Sequence, residues 1–163
     1  CLVGAEMCIR DRICAMLREA RVPCLVHQLR YNMFNREPET GVFAAIREEG
    51  LGCVAFSPLA QGMLTDRYLD GIPADSRAAG ASVFLTGERV QQHGDRIRRL
   101  AALARDRGQS LAQMALAWVL RNSVVTTALI GASRSAQIRD CLGSLKNTQF
   151  SPEELAVIDS TAD

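Results

Sequence analysis

Two stretches of this chain carry the residue types with which it could do chemistry. The first is Phe56-Ser57-Pro58-Leu59-Ala60-Gln61-Gly62, which sets an aromatic ring, a hydroxyl and a conformationally free glycine close together. The second is Gly131-Ala132-Ser133-Arg134, with Gln137 one helical turn further on. A small-residue turn that opens a helix offers unsatisfied N–H groups and the positive end of the helix dipole, which favours an anion. Ser133 can add a hydroxyl donor, while Arg134 adds charge and a flat guanidinium able to stack on an aromatic base. Arg67 and Arg77 follow the first stretch and could close over a second phosphate. Together these residues make a site for a phosphorylated, nucleotide-like cofactor. Each piece alone also fits a plainer role, since strand–turn–helix junctions and solvated arginines are common.

Such a site needs strands that deliver both stretches to one edge. Gly52-Cys53-Val54-Ala55-Phe56 is a short apolar run that reads as a strand buried on both faces. Pro58 has no N–H for a ladder and cannot continue it. Loops at the C-terminal ends of parallel strands are where α/β folds bind ligands. Upstream, Ile13, Met16, Leu17 and Ala20 predict the end of a helix over 13–21, broken by Pro23 and followed by a strand over 24–28. A helix over about 39–49 carries Val42, Phe43 and Ile46 on its apolar face, and Gly50 suits its C-cap. This strand–helix–strand unit implies parallel strands joined right-handedly.

After Thr65 almost thirty residues read as irregular loop. A helix over about 95–107 turns Ile97, Leu100, Ala101 and Ala104 inward. A second starts at Ser110, which with Gln113 has the spacing of a capping box, and its Met114 and Trp118 read as core. The third strand covers 125–130 and runs into the second stretch, whose helix carries Ile138, Cys141, Leu142 and Leu145. Ser151-Pro152-Glu153-Glu154 opens a last helix with serine at the N-cap, proline at N1 and glutamate at N3.

The bulk numbers exclude other classes. With 19 basic and 18 acidic residues the net charge is +1, so nothing favours a nucleic acid or an anionic membrane as partner. An apolar share of 48% fits a soluble globular domain, and no run approaches the ~20 residues that span a bilayer. A cytoplasmic location is expected. The six cysteines form no CxxC pair and the two histidines are far apart, so neither a metal site nor a disulfide framework is expected. Residues 1–12 stand apart: Met7-Cys8-Ile9-Arg10-Asp11-Arg12 looks like the translation of a transposase mosaic end from sequencing-library preparation. They are expected to be a non-native scar, with the domain running over 13–163.

Four ordered motifs resemble the aldo-keto reductases. They are Tyr31-Asn32-Met33-Phe34-Asn35-Arg36-Glu37, then the run from Ala55 to Thr65, then Gly71-Ile72-Pro73 with Ser76-Arg77, and finally Leu129-Ile130-Gly131-Ala132-Ser133. They look like the branch that holds bacterial glyceraldehyde-3-phosphate reductases and potassium-channel β subunits. The resemblance implies an α/β fold, the C-terminal part of a (β/α)₈ TIM barrel in which the three strands are the sixth, seventh and eighth. It implies NADPH as cofactor and a small carbonyl compound as substrate, with a homo-oligomeric parent left open. By motif position, Gln28 would hydrogen-bond the nicotinamide carboxamide and Phe56 would stack on its ring. Ser57, Pro58, Leu59, Ala60 and Gly62 would line the pyrophosphate path, with charge from Arg67 and Arg77. Gly131 and Ala132 form the turn before Ser133, Arg134 and Gln137, which would hold the adenosine 2′-phosphate. Asp140 stands where the family has a glutamate that helps hold adenine, and Cys141 replaces the asparagine that follows it.

The resemblance also implies what this stretch does not contain. The family's catalytic Asp, Tyr, Lys and His belong to the first half of the barrel, where the tyrosine protonates the carbonyl oxygen as hydride arrives. No residue here matches them by motif: Tyr31 and Tyr68 fall in loops and His27 in a strand. A (β/α)₈ barrel needs ~250 residues, so the chain is expected to be the cofactor-binding half of a reductase. The alternatives are a non-catalytic NADPH-binding regulatory subunit and an inactive fragment. Three strands leave a sheet edge and a barrel interior uncovered, so the chain alone is expected to aggregate or to hold cofactor weakly.

Overall fold

Three parallel strands form the centre of the chain in a computed structural model that describes residues 16, 19–22, 24–80 and 85–162. The expected scar and most of the first predicted helix lie outside the described residues. Strands β1 (Val26–Arg30), β2 (Gly52–Phe56) and β3 (Thr127–Leu129) are ordered β1-β2-β3. Their register pairs Val26 with Gly52, Gln28 with Val54 and Arg30 with Phe56, then Val54 with Thr127 and Phe56 with Leu129. The crossover from β1 to β2 runs through a 3₁₀ turn (Glu37–Thr40) and helix α1 (Val42–Glu48). Gly50 then turns the chain into β2 with a φ of 66°, as its predicted C-cap role requires.

The bounds of two strands differ from expectation. β1 begins at Val26 rather than 24 because its partner sets the register: Leu25 O accepts from Gly52 N at 2.9 Å, and pairing starts there. Arg30 joins the strand, although polar, because Phe56 offers it a partner. β3 is shorter than 125–130.

The segment between β2 and β3 is less irregular than its sequence reads. Three 3₁₀ turns (Asp66–Tyr68, Arg77–Ala79 and, nearer β2, Ala60–Gly62) precede helix α2 (Gly87–Gln92). α2 is N-capped by Thr86, whose hydroxyl accepts from Arg89 N at 3.2 Å. Helices α3 (Gly94–Asp106) and α4 (Leu111–Leu120) follow as predicted, and the capping box on α4 is present. In that box Gln113 N donates to Ser110 Oγ and Ser110 N to Gln113 Oε1, both at 3.2 Å. After β3 come α5 (Ser135–Leu142), a 3₁₀ turn (Gly143–Lys146) and α6 (Pro152–Ala162). Glu154 reaches back to Ser151 N at 2.7 Å, completing the cap read from Ser151-Pro152-Glu153-Glu154.

The sheet has one buried face and one open one. Side chains alternate along strands, so Leu29, Cys53, Ala55 and Ala128 share a face. Leu29, Cys53 and Ala55 are buried in the same core as Phe43 and Ile46 of α1 and Met114, Trp118 and Val119 of α4. The Met114/Trp118 stripe is core, as its spacing predicts; both are wholly inaccessible. Burial pushes the Cys53 thiol up to about 11, so it packs as a small apolar side chain. The other face holds Val26, Gln28, Arg30, Gly52, Val54, Phe56, Thr127 and Leu129, and none is fully buried. The reading of β2 as a strand buried on both faces is therefore corrected. Among the described residues, helices cover only one side. Leu25, Val26 and Leu129 expose more than half of their surface on or beside the open face, and α5 with the turn behind it exposes Ile138, Leu142 and Leu145.

An aromatic and ionic cluster ties β1 to the helices. Tyr31, one residue past β1, is wholly buried, stacks on Trp118 at 5.0 Å and meets Phe43 edge-on at 4.9 Å. Its hydroxyl donates to Glu39 Oε1 at 2.5 Å and accepts from Arg121 at 3.3 Å. Arg121 lies over the Trp118 ring at 4.0 Å and Arg36 at 5.3 Å. Burial, with the bond to Glu39, pushes the Tyr31 phenol up to about 12. The folded chain thus keeps a proton that the unfolded chain gives up near pH 10. Stability from this group is full below pH 10 and is lost as pH rises from 10 towards 12, by on the order of 2 kcal/mol. Urea melts across that range are expected to show the slope, and Tyr31→Phe to flatten it.

Candidate functional site

Parallel pairing brings the loops after β1, β2 and β3 to one edge of the sheet. The β2 loop is held in an unusual backbone shape. Ser57, Ala60 and Gln61 have φ values of 54°, 48° and 62°, and Gly62 has 98°. Each left-handed non-glycine residue costs about 1 kcal/mol, so contacts must impose the shape. They do. Asn32, buried in the β1 loop, donates from Nδ2 to Ser57 O at 2.9 Å and accepts Phe34 N on Oδ1 at 3.0 Å. Gln61 Nε2 donates to Ser57 Oγ at 2.8 Å, and Arg77 Nη1 donates to Gln61 Oε1 at 3.0 Å.

Arg77 is thereby brought against the β2 loop. Arg67 is turned elsewhere: it donates to Asp75 O at 3.0 Å and pairs with the Asp75 carboxylate at 3.0 Å. Gln28 and Phe56 share the open face, where Phe56 is flanked in register by Arg30 and Leu129. Gln28 is exposed and Phe56 half-buried, so both remain accessible.

At the third strand end, Gly131, Ala132, Ser133, Arg134 and Gln137 are all exposed. Gln137 Oε1 accepts from Ser133 N at 2.9 Å, Ser133 Oγ at 3.2 Å and Arg134 N at 3.1 Å. One neutral oxygen thus sits where three donors at the N-terminus of α5 converge. Asp140 faces the other way, accepting from Gln113 Nε2 at 2.8 Å and from Ser110 Oγ at 3.3 Å. Its carboxylate braces α5 against the start of α4.

Three contributors were missed in the sequence. Asn32 shapes the β2 loop from the β1 loop, through a contact that no local spacing announces, and Gln61 shapes it from within, four positions from Ser57. Arg30 lines a cleft of about 380 Å³ between the β1 and β2 loops, together with Ser57 and Gln61. The alternation of β1 could have put Arg30 on the Gln28 face, had its C-terminal boundary been read correctly.

The profile of the aldo/keto reductase family matches residues 9–163. This chain belongs to that family. It is 44% identical over 154 residues to L-glyceraldehyde 3-phosphate reductase of Escherichia coli K12, covering 91% of this chain and 44% of the relative. A Schizosaccharomyces pombe protein named as a voltage-gated potassium channel subunit beta is 34% identical over 141 residues, 81% of this chain and 40% of its own. A crystal structure of a thermostable aldo-keto reductase with the inhibitor epalrestat superimposes with a TM-score of 0.60 at 24% identity. It covers 89% of this chain and 42% of the solved one, so the three-stranded sheet matches part of an aldo-keto reductase TIM barrel. The chain spans less than half the length of these relatives. Aldo-keto reductases typically use NAD(P)H. No helix among the described residues is long and apolar enough to cross a membrane.

Proposed function

We propose that this chain supplies the NADPH-binding part of a carbonyl reductase that turns small aldehydes or ketones into alcohols, an L-glyceraldehyde 3-phosphate-like compound among them. One observation supports it above the rest. The β2 loop and the Ser133 turn stand at one sheet edge, beside an open face that carries both Gln28 and Phe56. The donor set fits such a cofactor. Ser57 and Arg77 form one cluster, Ser133 and Arg134 another, and the oxygen of Gln137 already occupies a point where a phosphate oxygen would find three donors.

In this reading Gln28 binds the carboxamide and Phe56 gives the nicotinamide ring a flat apolar seat. The strained turn of Ser57, Pro58, Leu59, Ala60 and Gly62 follows the diphosphate, with Arg77 as its cation and Arg67 joining only by leaving Asp75. Gly131 and Ala132 carry the chain close to the ligand, and Ser133, Arg134 and Gln137 hold the 2′-phosphate. Asp140 contributes least, because its carboxylate already braces α4. When bound, the cofactor supplies the hydride. The proton donor is assigned to residues outside the segment matched here.

Isothermal titration with NADPH and NADH tests the set. Arg134→Gln is expected to weaken NADPH by about tenfold and leave NADH unchanged, since only NADPH carries the charge that Arg134 meets. Equal weakening of both would remove Arg134 from the 2′-phosphate site. Similarity to the channel-type relative favours a second reading, a regulatory subunit that binds NADPH without turnover. The two share this site and differ only in whether bound NADPH is consumed when a carbonyl is added to the complete protein.

A further inference from the structure

The cleft between the β1 and β2 loops shares Ser57 and Ala60 with the cofactor reading, but the cations that line it have no role in that reading. It holds about 380 Å³, enough for a small metabolite, and borders Ser57 beside the open face. Three guanidinium groups line it, from Arg30, Arg36 and Arg89, against a single carboxylate, Glu37. Arg36 is committed: it pairs with Glu39 and Asp159 and lies over Trp118. Arg30 differs. It is the last residue of β1, is exposed, and stands in register beside Phe56 on the open face. Its Nε donates to the neutral Asn35 side chain, and it pairs with no carboxylate among the described residues. Arg89, on α2, likewise shows no side-chain ion pair among the described residues.

A cleft with two uncommitted guanidinium groups and one carboxylate selects a dianion. Guanidinium meets phosphate oxygens in a forked, charge-assisted geometry. We infer that Arg30 is a specificity-determining residue, which holds the phosphate monoester of a small phosphorylated aldehyde in this cleft while the carbonyl end lies towards Phe56. The inference rests on the reductase reading for what happens to that carbonyl, but the anion site stands on Arg30 and its cleft.

The test uses glycerol 3-phosphate as probe and glycerol as its neutral counterpart, titrated into the full chain by ligand-observed NMR, with NADPH affinity measured separately. Wild type is expected to bind glycerol 3-phosphate saturably and glycerol not at all. Arg30→Gln is expected to weaken the probe by about tenfold, Arg30→Lys by less, and neither to change NADPH affinity. The inference is overturned if wild type shows no saturable binding, if Arg30→Gln binds as wild type does, or if NADPH displaces the probe. That last result would assign the cleft to a cofactor phosphate. Probe binding that follows Arg30 in a chain that does not bind NADPH would uphold the anion site and remove the cofactor reading alone.

Discussion

Replacing Trp118 by alanine is expected to lower the stability of the folded chain by about 4 kcal/mol, as truncation of a fully buried large aromatic does. The indole is wholly inaccessible, stacks on Tyr31, and has the guanidinium groups of Arg36 and Arg121 over its face. Removing it opens a cavity and deprives both cations of their aromatic seat. The consequence reaches the candidate site. Tyr31 precedes Asn32, whose side chain holds Ser57 O, so a loosened Tyr31 frees the backbone of the β2 loop. Trp118→Phe should cost only about 1.5 kcal/mol, because volume is largely kept and the buried indole N–H has no partner among the described residues. Urea melts of the three proteins check this. A loss below about 1 kcal/mol for Trp118→Ala would mean that the cluster does not hold β1 to the helices.

The second large effect is at Arg107, whose side chain is 3% exposed. Its guanidinium serves four partners: Gln109 Oε1 at 3.0 Å, Glu154 at 2.5 Å, Asn147 O at 3.3 Å and Gln149 O at 2.8 Å. It also lies 3.8 Å from the centre of the Phe150 ring. A single planar cation thus joins the end of α3 to the approach to α6. Methionine keeps much of the bulk but leaves Gln149 O without its donor and the buried side of the Glu154 carboxylate without its cation, so Arg107→Met is expected to cost about 3 kcal/mol. Lysine retains the charge but cannot reach all four partners from one point, and should recover less than half of the loss. Full recovery by lysine would show that charge alone matters there. Thermal melts followed by circular dichroism decide it.

Much of this fold was legible because its signals are local. The capping boxes of Ser110/Gln113 and Ser151/Glu154, the Gly50 turn and the Met114/Trp118 core stripe each depend on residues within one or two turns. β2 was legible as a strand from its apolar run and from Pro58. What sequence could not give depends on partners far along the chain. The start of β1 is set by pairing with Gly52, and the one-sided burial of the sheet by which face the helices cover. α2 is six residues long and begins at a glycine, so its periodicity is too short to read. Ser133, Arg134 and Gln137 could be grouped because they span one helical turn. Asn32 could not, since its contact with Ser57 O crosses from one loop to another, and Gln61, only four positions from Ser57, is turned towards it by a left-handed backbone that leaves no periodic signal.

The open sheet face bears on every binding experiment. Leu25, Val26 and Leu129 stay exposed there, which favours self-association at high concentration. Titrations are therefore best run dilute, on material shown to be monomeric.

In the proposed function the Ser57 loop and the Ser133 turn bind NADPH. The most direct measurement is a fluorescence titration of NADPH with the folded chain, followed by competition with 2′,5′-ADP and with AMP. Saturable binding is expected, weak but specific, reversed by 2′,5′-ADP and not by AMP at the same concentration. A folded, monomeric chain that leaves NADPH fluorescence unchanged, or that releases NADPH equally to both competitors, would contradict it.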